Sequence, residues 1–345
     1  MAITNSDLPL ILGRVGGTWP NSRVQADYTP QTATLESIIK EQTADVRTFG
    51  LPDEQDMYVT WLLNCGQVPA ACDTDCTHTG PSSSTFRQTA KIDQCIQNTF
   101  QEPYDAWRSN EFGLKDALAS QLQRLMKDHL EAVEQYSVGV INANAGINSA
   151  ITNPTWTGSG TTVVTIPSNQ VASTAIFGPL LRNGIRNRFN NPYGLSGEAL
   201  AQLQFMSETN AANGEGKGEA ARARLMRFYF DYFNVDEVND PNLDFYIIDR
   251  GTLAFASKGY FPMVGDPNNP RGAEVFSYGK MRFSIRNQWV PQLIHDVEVY
   301  DSCTSGVEST TWTVRTRYKT LAAPEGCLED NTGILRYRVG SPEAV

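Results

Sequence analysis

The chain has 345 residues, of which 40% are hydrophobic and 19% are charged, and this balance excludes an intrinsically disordered protein. Its formal net charge is -10, whereas proteins that bind nucleic acid are typically basic. No run approaches the roughly 20 apolar residues that span a bilayer, and the amino terminus makes a poor signal peptide. We therefore expect the chain to fold in a cytosol.

The first 45 residues predict an arm that needs a partner surface. Glycines and prolines separate short polar and apolar pieces as far as Pro30, and a helical pattern follows from Thr34 to Ala44. So short a segment has little means of burying its own apolar residues, such as Leu8 and Ile11. We therefore expect a neighbouring subunit to cover them.

Residues 46–105 predict a long two-stranded hairpin. The strand-like pieces MYVTWLL and TFRQTAKIDQCIQNTF are separated by the turn-rich sequence CGQVPAACDTDCTHTGPSSS. A hairpin is only marginally stable by itself, so this one should lie on another surface. Its apolar residues, Val59 and Trp61 among them, again predict cover by a neighbouring subunit.

The longest predicted element is a helix from Glu111 to Ala145. No proline interrupts it, and apolar residues return every three or four positions, as on one face of a surface helix. These are Leu114, Leu118, Leu122, Leu125, Met126, Leu130, Val133 and Val140. Charged residues, including Glu131 and Glu134, are predicted to lie off this face. At about 1.5 Å per residue the helix is roughly 50 Å long, with Ser109 or Asn110 as its cap.

Beyond the long helix the pattern becomes mixed. TTVVTIP predicts a strand, and three helices are predicted over Val171–Phe189, Ser196–Asn210 and Gly218–Phe233. The short apolar run LDFYIID predicts a buried strand, and the last hundred residues are mainly β in character. The whole chain is therefore predicted to be α+β.

Six cysteines are candidate disulfide partners or structural thiols: Cys65, Cys72, Cys76, Cys95, Cys303 and Cys327. Their even number invites disulfides, whereas a cytosolic origin favours thiols. Locality favours pairing within the first four and between the last two, and the pairing stays open.

Some of these cysteines are also candidate metal ligands. The candidate zinc ligands are Cys65, Cys72, Cys76, His78 and Cys95. The sequence CDTDC places three residues between two thiols, and no second close pair completes a four-ligand knuckle. We therefore predict no metal and no cofactor.

Other constellations point away from catalysis. The run from Gly214 to Arg222 lacks the spacing of a phosphate loop. His129 in the long helix is predicted to be packed or solvated. His295 precedes Asp296, which leaves a Ser/His/Asp arrangement open, although nothing marks its serine.

Five of the tryptophans occur across the main segments: Trp61, Trp107, Trp156, Trp289 and Trp312. Stacking on single-stranded bases needs a basic groove, which this acidic chain does not predict. We expect these residues to anchor the core and subunit interfaces.

The segment order resembles that of the major capsid proteins of tailed double-stranded DNA phages, the HK-97-like family. FYIIDRGTLAFASKGYFP, from Phe245 to Pro262, is similar to a strand and turn of that family. The resemblance implies an α+β capsid fold, in which the chain returns at its end to complete the peripheral sheet. Its implied parts are an N-terminal arm at 1–45, an E-loop hairpin at 46–105, a peripheral domain with the spine helix at 106–167, an axial domain at 168–285 and returning peripheral strands at 286–345.

The same resemblance implies a function without an active site. The chain would self-assemble, as hexamers and pentamers, into an icosahedral shell that encloses double-stranded DNA without reading its sequence. Scaffolding, portal and decoration proteins would be partners, assembly would occur in the host cytoplasm, and the virion would be the final location, with no membrane partner. Two other classes stay open: a tail or baseplate protein that forms rings or tubes, and a hydrolase that uses His295.

Overall fold

The computed structural model of the chain describes residues 11–13, 30–49, 56–62, 85–107, 111–149, 151, 153–171, 176–201, 226–239, 242–264, 274–277, 280–304, 306–324 and 332–340. Within these ranges the chain is α+β, as predicted, with three sheets and one dominant helix. No helix in these ranges is long and apolar enough to cross a membrane.

Two helices organise the molecule. The arm helix α1 spans Ala33–Glu41, close to the predicted segment, and the long helix α2 spans Glu111–Ala143, which is 33 residues. The apolar face of α2 is buried as expected, with Leu118, Leu122 and Leu130 fully covered. Its predicted caps, residues 109 and 110, lie outside the described ranges.

A large sheet of six strands lies under α2. Its order is β10-β11-β12-β13-β4, and β9 also pairs with β13. The strand bounds are β4 Gln94–Pro103, β9 Leu253–Ser257, β10 Glu274–Ser277, β11 Lys280–Arg286, β12 Ile294–Thr304 and β13 Val307–Ala322. Successive residues of a strand point to opposite faces, so Trp312 and Val314 pack under α2 while Thr313 and Arg315 face away from it.

The pairing at one edge of this sheet joins distant parts of the chain. Strand β4, just before α2, pairs antiparallel with β13 from Pro103↔Ser309 to Gln94↔Tyr318. The ring of Phe100 on β4 stacks on Trp312 of β13 with 5.9 Å between centroids. The end of the chain therefore returns to build the sheet that the helix covers.

A three-stranded hairpin sheet contains β1 Asp45–Phe49, β2 Asp56–Leu62 and β3 Thr85–Lys91, in that order. The predicted second strand piece is therefore divided at Ile92, because its later half belongs to the large sheet. Val59 and Trp61 are buried against Ala254 and Ala256 of β9. The expectation that a neighbouring subunit must cover them is wrong.

Ile11 of the arm requires the same correction. It is fully buried in the core between α2 and the large sheet of its own chain, and Leu12 packs against that core. The sequence pattern shows that a side chain needs cover, but the folded chain decides whether that cover is intramolecular. Leu8 and Leu62 lie where the structure gives no side-chain description.

The second sheet, which is separate from both the large sheet and the hairpin sheet, has five strands in the order β5-β14-β8-β6-β7. Its members are β5 Val163–Pro167, β6 Tyr193–Ser196, β7 Arg227–Phe230, β8 Asp244–Ile248 and β14 Ile334–Gly340. All five residues of β8 are buried, which confirms the prediction of a buried strand at LDFYIID. Strand β14, near the chain end, lies between β5 and β8.

Three short helices accompany this sheet, namely α3 Ser168–Val171, α4 Phe177–Arg186 and α5 Asn234–Asn239. The helix predicted over 171–189 is present only in part, as α4. The helix predicted from Ser196 is wrong at its start, because Tyr193–Ser196 is a strand followed by a 3-10 turn at Glu198–Leu200.

The helix predicted over 218–233 is also wrong where the structure describes it. Residues Arg227–Phe230 form strand β7, and the rings of Phe228, Phe230 and Tyr232 stack in sequence on one side. This period of two is that of a strand, and it prevailed over the helical spacing of the aromatic residues. Residues 202–225 lie outside the described ranges.

Both sheets combine strands that are far apart in sequence. The large sheet pairs β4 and β9 with the later strand β13, and the second sheet places β14 between β5 and β8.

Candidate functional site

The one histidine that could serve a hydrolase lies in a buried polar chain between α2 and the large sheet. His295 on β12 and His129 on α2 are both fully buried, with ring centroids 5.9 Å apart. Thr316 Oγ1 of β13 lies 2.6 Å from His295 Nδ1 and 2.7 Å from His129 Nδ1. Asn287 Nδ2 lies 3.0 Å from His295 Nε2.

The partners of Asn287 determine the tautomer of His295. Its Oδ1 accepts the backbone N–H groups of Trp289 at 2.9 Å and Val290 at 3.1 Å, so its Nδ2 must donate to His295 Nε2. His295 then carries its proton on Nδ1 and donates to Thr316. Thr316 Oγ1 also lies within hydrogen-bond distance of His129 Nδ1, so the one hydroxyl connects the two imidazoles.

Both imidazoles are therefore neutral in the folded protein. Burial lowers the pKa of His129 to about 4, and burial together with the nearby His129 lowers the pKa of His295 to about 3. His295 uses both ring nitrogens inside the core and has none left for a substrate. The prediction that His129 is packed or solvated is resolved as packed.

Asp296 does not complete a triad with His295. Because neighbouring residues of β12 face opposite sides, Asp296 lies on the far face of the large sheet. There its carboxylate accepts from Ser284 Oγ at 2.6 Å, from the backbone N–H of Tyr260 at 2.9 Å and from Arg317 Nη1 at 2.7 Å. The carboxylate is 2% exposed and acts as a structural acceptor that ties the segment at Tyr260 to the sheet.

The far face of the large sheet carries a row of charges. Arg282 lies 2.9 Å from Glu298 Oε1, and Arg315 lies 3.5 Å from Glu298 Oε2. Arg315 also donates through Nε to Gln97 Oε1 at 2.7 Å. The carboxylate of Glu298 thus links two arginines on the neighbouring strands, and these side chains make this face of the sheet polar.

The predicted cysteine cluster is only partly described. Cys95 and Cys303 are exposed free thiols, while Cys65, Cys72, Cys76, His78 and Cys327 lie outside the described ranges. In the large sheet, Cys95 lies opposite Arg317 of β13, and Cys303 lies opposite Glu308 of the same strand. The two thiols are therefore about 30 Å apart along β13 and cannot form a disulfide within one chain. In the part of the chain that the structure describes, no group of three or more metal-ligating residues occurs.

The tryptophans behave mainly as core anchors. Trp61, Trp156 and Trp312 are at most 4% exposed, and Trp289 packs against the cores on both sides of it. The indole of Trp156 donates to Gln170 Oε1 at 2.8 Å. The side chain of Trp107 is not among those described.

Sequence reasoning missed a group of buried carboxylates around α1. Glu134, predicted to lie off the buried face of α2, is fully buried, as is Asp231, and Glu41 is 5% exposed. Glu134 comes four residues after Leu130 and three before Ser137, both of which are buried on α2. That helical spacing was the available signal, and the acidic side chain obscured it.

The fold is similar to that of phage capsid chains. The cyanophage A-1(L) capsid is 11% identical, with 89% of this chain and 93% of that chain covered and a TM-score of 0.48. For the capsid of Ralstonia phage GP4 the corresponding values are 8%, 88%, 87% and 0.48. A chain of Mycobacterium phage Cain is 8% identical, with 100% of both chains covered and a TM-score of 0.45.

Identities this low concern the fold alone, and TM-scores below 0.5 add no weight to a functional conclusion. No protein-family profile matches the sequence. No curated protein matches it. The function proposed below therefore rests on the geometry of this chain.

Proposed function

We propose that the chain is a structural protein of a phage capsid, a major capsid protein whose copies assemble into an icosahedral shell around double-stranded DNA. The observation that carries this proposal is the pairing of β4 with β13 beneath α2. The return of the chain end to complete the sheet under a long helix is what the resemblance to the HK-97-like family implies. Neither segment order nor composition requires that pairing.

The hairpin supports the same proposal. Its base is anchored intramolecularly, because β2 packs against β9 through Met57, Val59 and Trp61. In the sequence, residues 63–84 connect β2 to β3. A firmly held base with a long connecting segment suits a contact with a neighbouring copy, and repeated contacts of one kind around symmetry axes close a shell.

The buried histidines support a structural role over an enzymatic one. His295, the only residue considered for catalysis, is held by Asn287 and Thr316 within the core. Its neighbour Asp296 serves the opposite face of the sheet. These positions favour structural roles for both side chains.

The partners of this protein follow from the proposed class. The chain would meet other copies of itself in hexamers and pentamers, with separate scaffolding and portal proteins and decoration proteins as further partners. Assembly would take place in the host cytoplasm, and the mature location would be the virion. Its net charge of -10 would limit adhesion between the wall and the enclosed DNA.

Negative-stain electron microscopy with sedimentation tests the proposal on protein isolated from its natural source. Closed shells are expected. Rings or tubes would indicate a tail or baseplate protein, and a small soluble species that persists with the scaffolding partner present would contradict the shell. A variant with residues 63–84 replaced by a short glycine-serine turn should keep its circular dichroism and lose shell formation.

The hairpin cysteines add a second proposal about the shell. Cys65, Cys72 and Cys76 cluster between β2 and β3, and we propose that oxidation there locks contacts between copies after release from the cell. Electrophoresis of particles without reductant should show higher-mass species that disappear on reduction. Identical migration together with full thiol titration would reject the lock.

A further inference from the structure

The arm helix α1 is held at both ends by buried carboxylates. At its carboxyl end, Glu41 accepts from Arg227 Nη1 at 3.0 Å, from Tyr229 at 3.0 Å, and lies 3.4 Å from Arg250 Nε. Two arginines thus compensate one buried charge. This end of the helix is joined to the second sheet by groups of opposite sign.

The amino end of α1 is held differently. The backbone N–H of Leu35 donates to Glu134 Oε2 of the long helix at 3.0 Å, and Thr34 Oγ1 donates to Asp231 Oδ2 at 2.8 Å. Glu134 and Asp231 are both fully buried. Two carboxyl groups therefore meet at one helix end, where the strongest charged influence on Glu134 is another carboxylate.

The two carboxyl groups differ in their hydrogen bonds. Asp231 accepts from Thr34 and from both the backbone and the side-chain N–H groups of Asn234, at 2.8 to 3.1 Å. Its carboxylate is thus held by three donors. Glu134 accepts one backbone N–H, and its Oε1 is buried with no hydrogen-bond partner among the described residues.

The surroundings of Glu134 favour its neutral form. Burial, and then the charge of Asp231, raise the pKa of Glu134 well above its ordinary value, and Glu36 of α1 adds to the effect. The N–H of Leu35 and the side chain of Thr34 act in the opposite direction.

The other charged groups nearby are engaged elsewhere. Glu36 is paired with Lys40 at 2.6 Å, and Glu131, one turn before Glu134, lies 3.5 Å from Lys127. On α5, Asp236 accepts the backbone N–H of Glu198, and Glu237 accepts from Gln135.

We propose that the neutral acid form of Glu134 latches the amino end of α1 to the long helix, and that loss of its proton releases that end. In the closed form Oε2 accepts from the backbone N–H of Leu35, and the buried Oε1, which has no partner among the described residues, carries the proton. Deprotonation places a second negative charge beside Asp231 in a buried site. The carboxyl end of α1 stays held because Glu41 keeps its arginines.

The sign of the pH dependence follows from the raised pKa. The latch is fully closed below the ordinary carboxyl range near pH 4.5, and its stability is lost as pH rises through the folded-state pKa of Glu134. The buried histidines act in the opposite direction below pH 6.5, so measurements above that pH exclude their contribution.

Hydrogen exchange of the full-length chain between pH 6.5 and 9 tests the latch. Protection factors, corrected for intrinsic exchange, are compared between the amides of α1 and those of β13, which serve as the internal reference. In the wild-type protein, protection of α1 should fall by up to about tenfold per pH unit relative to β13. In Glu134→Gln the protection of α1 should stay constant with pH, since the amide oxygen still accepts from Leu35 and the side chain carries no charge.

Glu131→Gln is the matched control, because it removes a carboxylate from the same helix one turn earlier, and it should retain the wild-type pH dependence. If the protection of α1 in the wild type did not change with pH, the latch would be overturned. An equal loss of α1 protection in Glu134→Gln would overturn it too. If that variant does not fold, Asp231→Asn replaces it. Because Asp231→Asn removes the charge that repels ionised Glu134, the loss of α1 protection between pH 6.5 and 9 should be smaller than in the wild type. A loss of protection equal to that of the wild type would overturn the proposal.

Discussion

The two halves of the long helix α2 meet the protein interior by different means. From Leu114 to Met126 the buried face is mainly apolar and packs on Phe283, Trp312 and other residues of the large sheet. From His129 to Ser137 the buried face includes a histidine, a glutamate and a serine. One helix thus joins an apolar core to a polar junction, and only the second half should respond to pH.

The largest effect is expected in the apolar half. Leu122→Ala should lower the free energy of unfolding by about 2–5 kcal/mol, because the deleted methyl groups leave a cavity in a fully buried site. Arg124→Ala, on the exposed side of the same turn, should change it by about 0.5 kcal/mol or less. Chemical denaturation checks both, and equal losses would show that this half is not packed as described.

Acid should act on the polar half. The lowered pKa values of His129 and His295 mean that stability is present above the ordinary value of 6.5 and is lost as pH falls toward about 4. Each histidine contributes a slope of up to about 1.4 kcal/mol per pH unit in this window. In denaturation curves measured from pH 7 to 4.5, His129→Gln should remove its share of the slope. An unchanged slope would assign the acid sensitivity to other groups.

A smaller effect is expected from the hydroxyl between the two histidines. Thr316→Val should cost about 1–3 kcal/mol, because His295 Nδ1 loses its acceptor and His129 Nδ1 loses its hydrogen-bond partner in a buried site. Thr313→Val is the control on the opposite face of β13, where the lost partner is Thr99. Thermal or chemical denaturation of the pair should show the larger loss for Thr316.

The smallest effect is expected on the outer side of the polar half. Glu131→Gln removes the contact with Lys127 at 3.5 Å, where both side chains are partly exposed, and should cost about 0.3–0.5 kcal/mol at low salt. Added salt should reduce the difference further. A loss above about 1 kcal/mol would mean that the outer side contributes as much as the buried side.

The candidate site was only partly predictable from sequence. His295 and Asp296 were found as neighbours, but strand geometry places them on opposite faces, so adjacency in sequence was the wrong guide. Asn287 and Thr316 carried no signal because a lone amide and a lone hydroxyl are common on strands. Glu134 was assigned to the wrong side of α2, since charge is normally a sign of exposure.

Local pattern was enough to predict the α+β class and the most regular elements, although it failed for the helix predicted over 218–233. An apolar period of three to four residues without proline specified α2, and the runs MYVTWLL and LDFYIID specified strands, because these patterns reflect local backbone geometry. Only the tertiary structure decided that β4 pairs with β13, that Ile11 and Trp61 are covered by their own chain, and that Glu134 is buried. Strand pairing and burial depend on surfaces contributed by residues far away in the sequence, and local patterns carry no information about that choice.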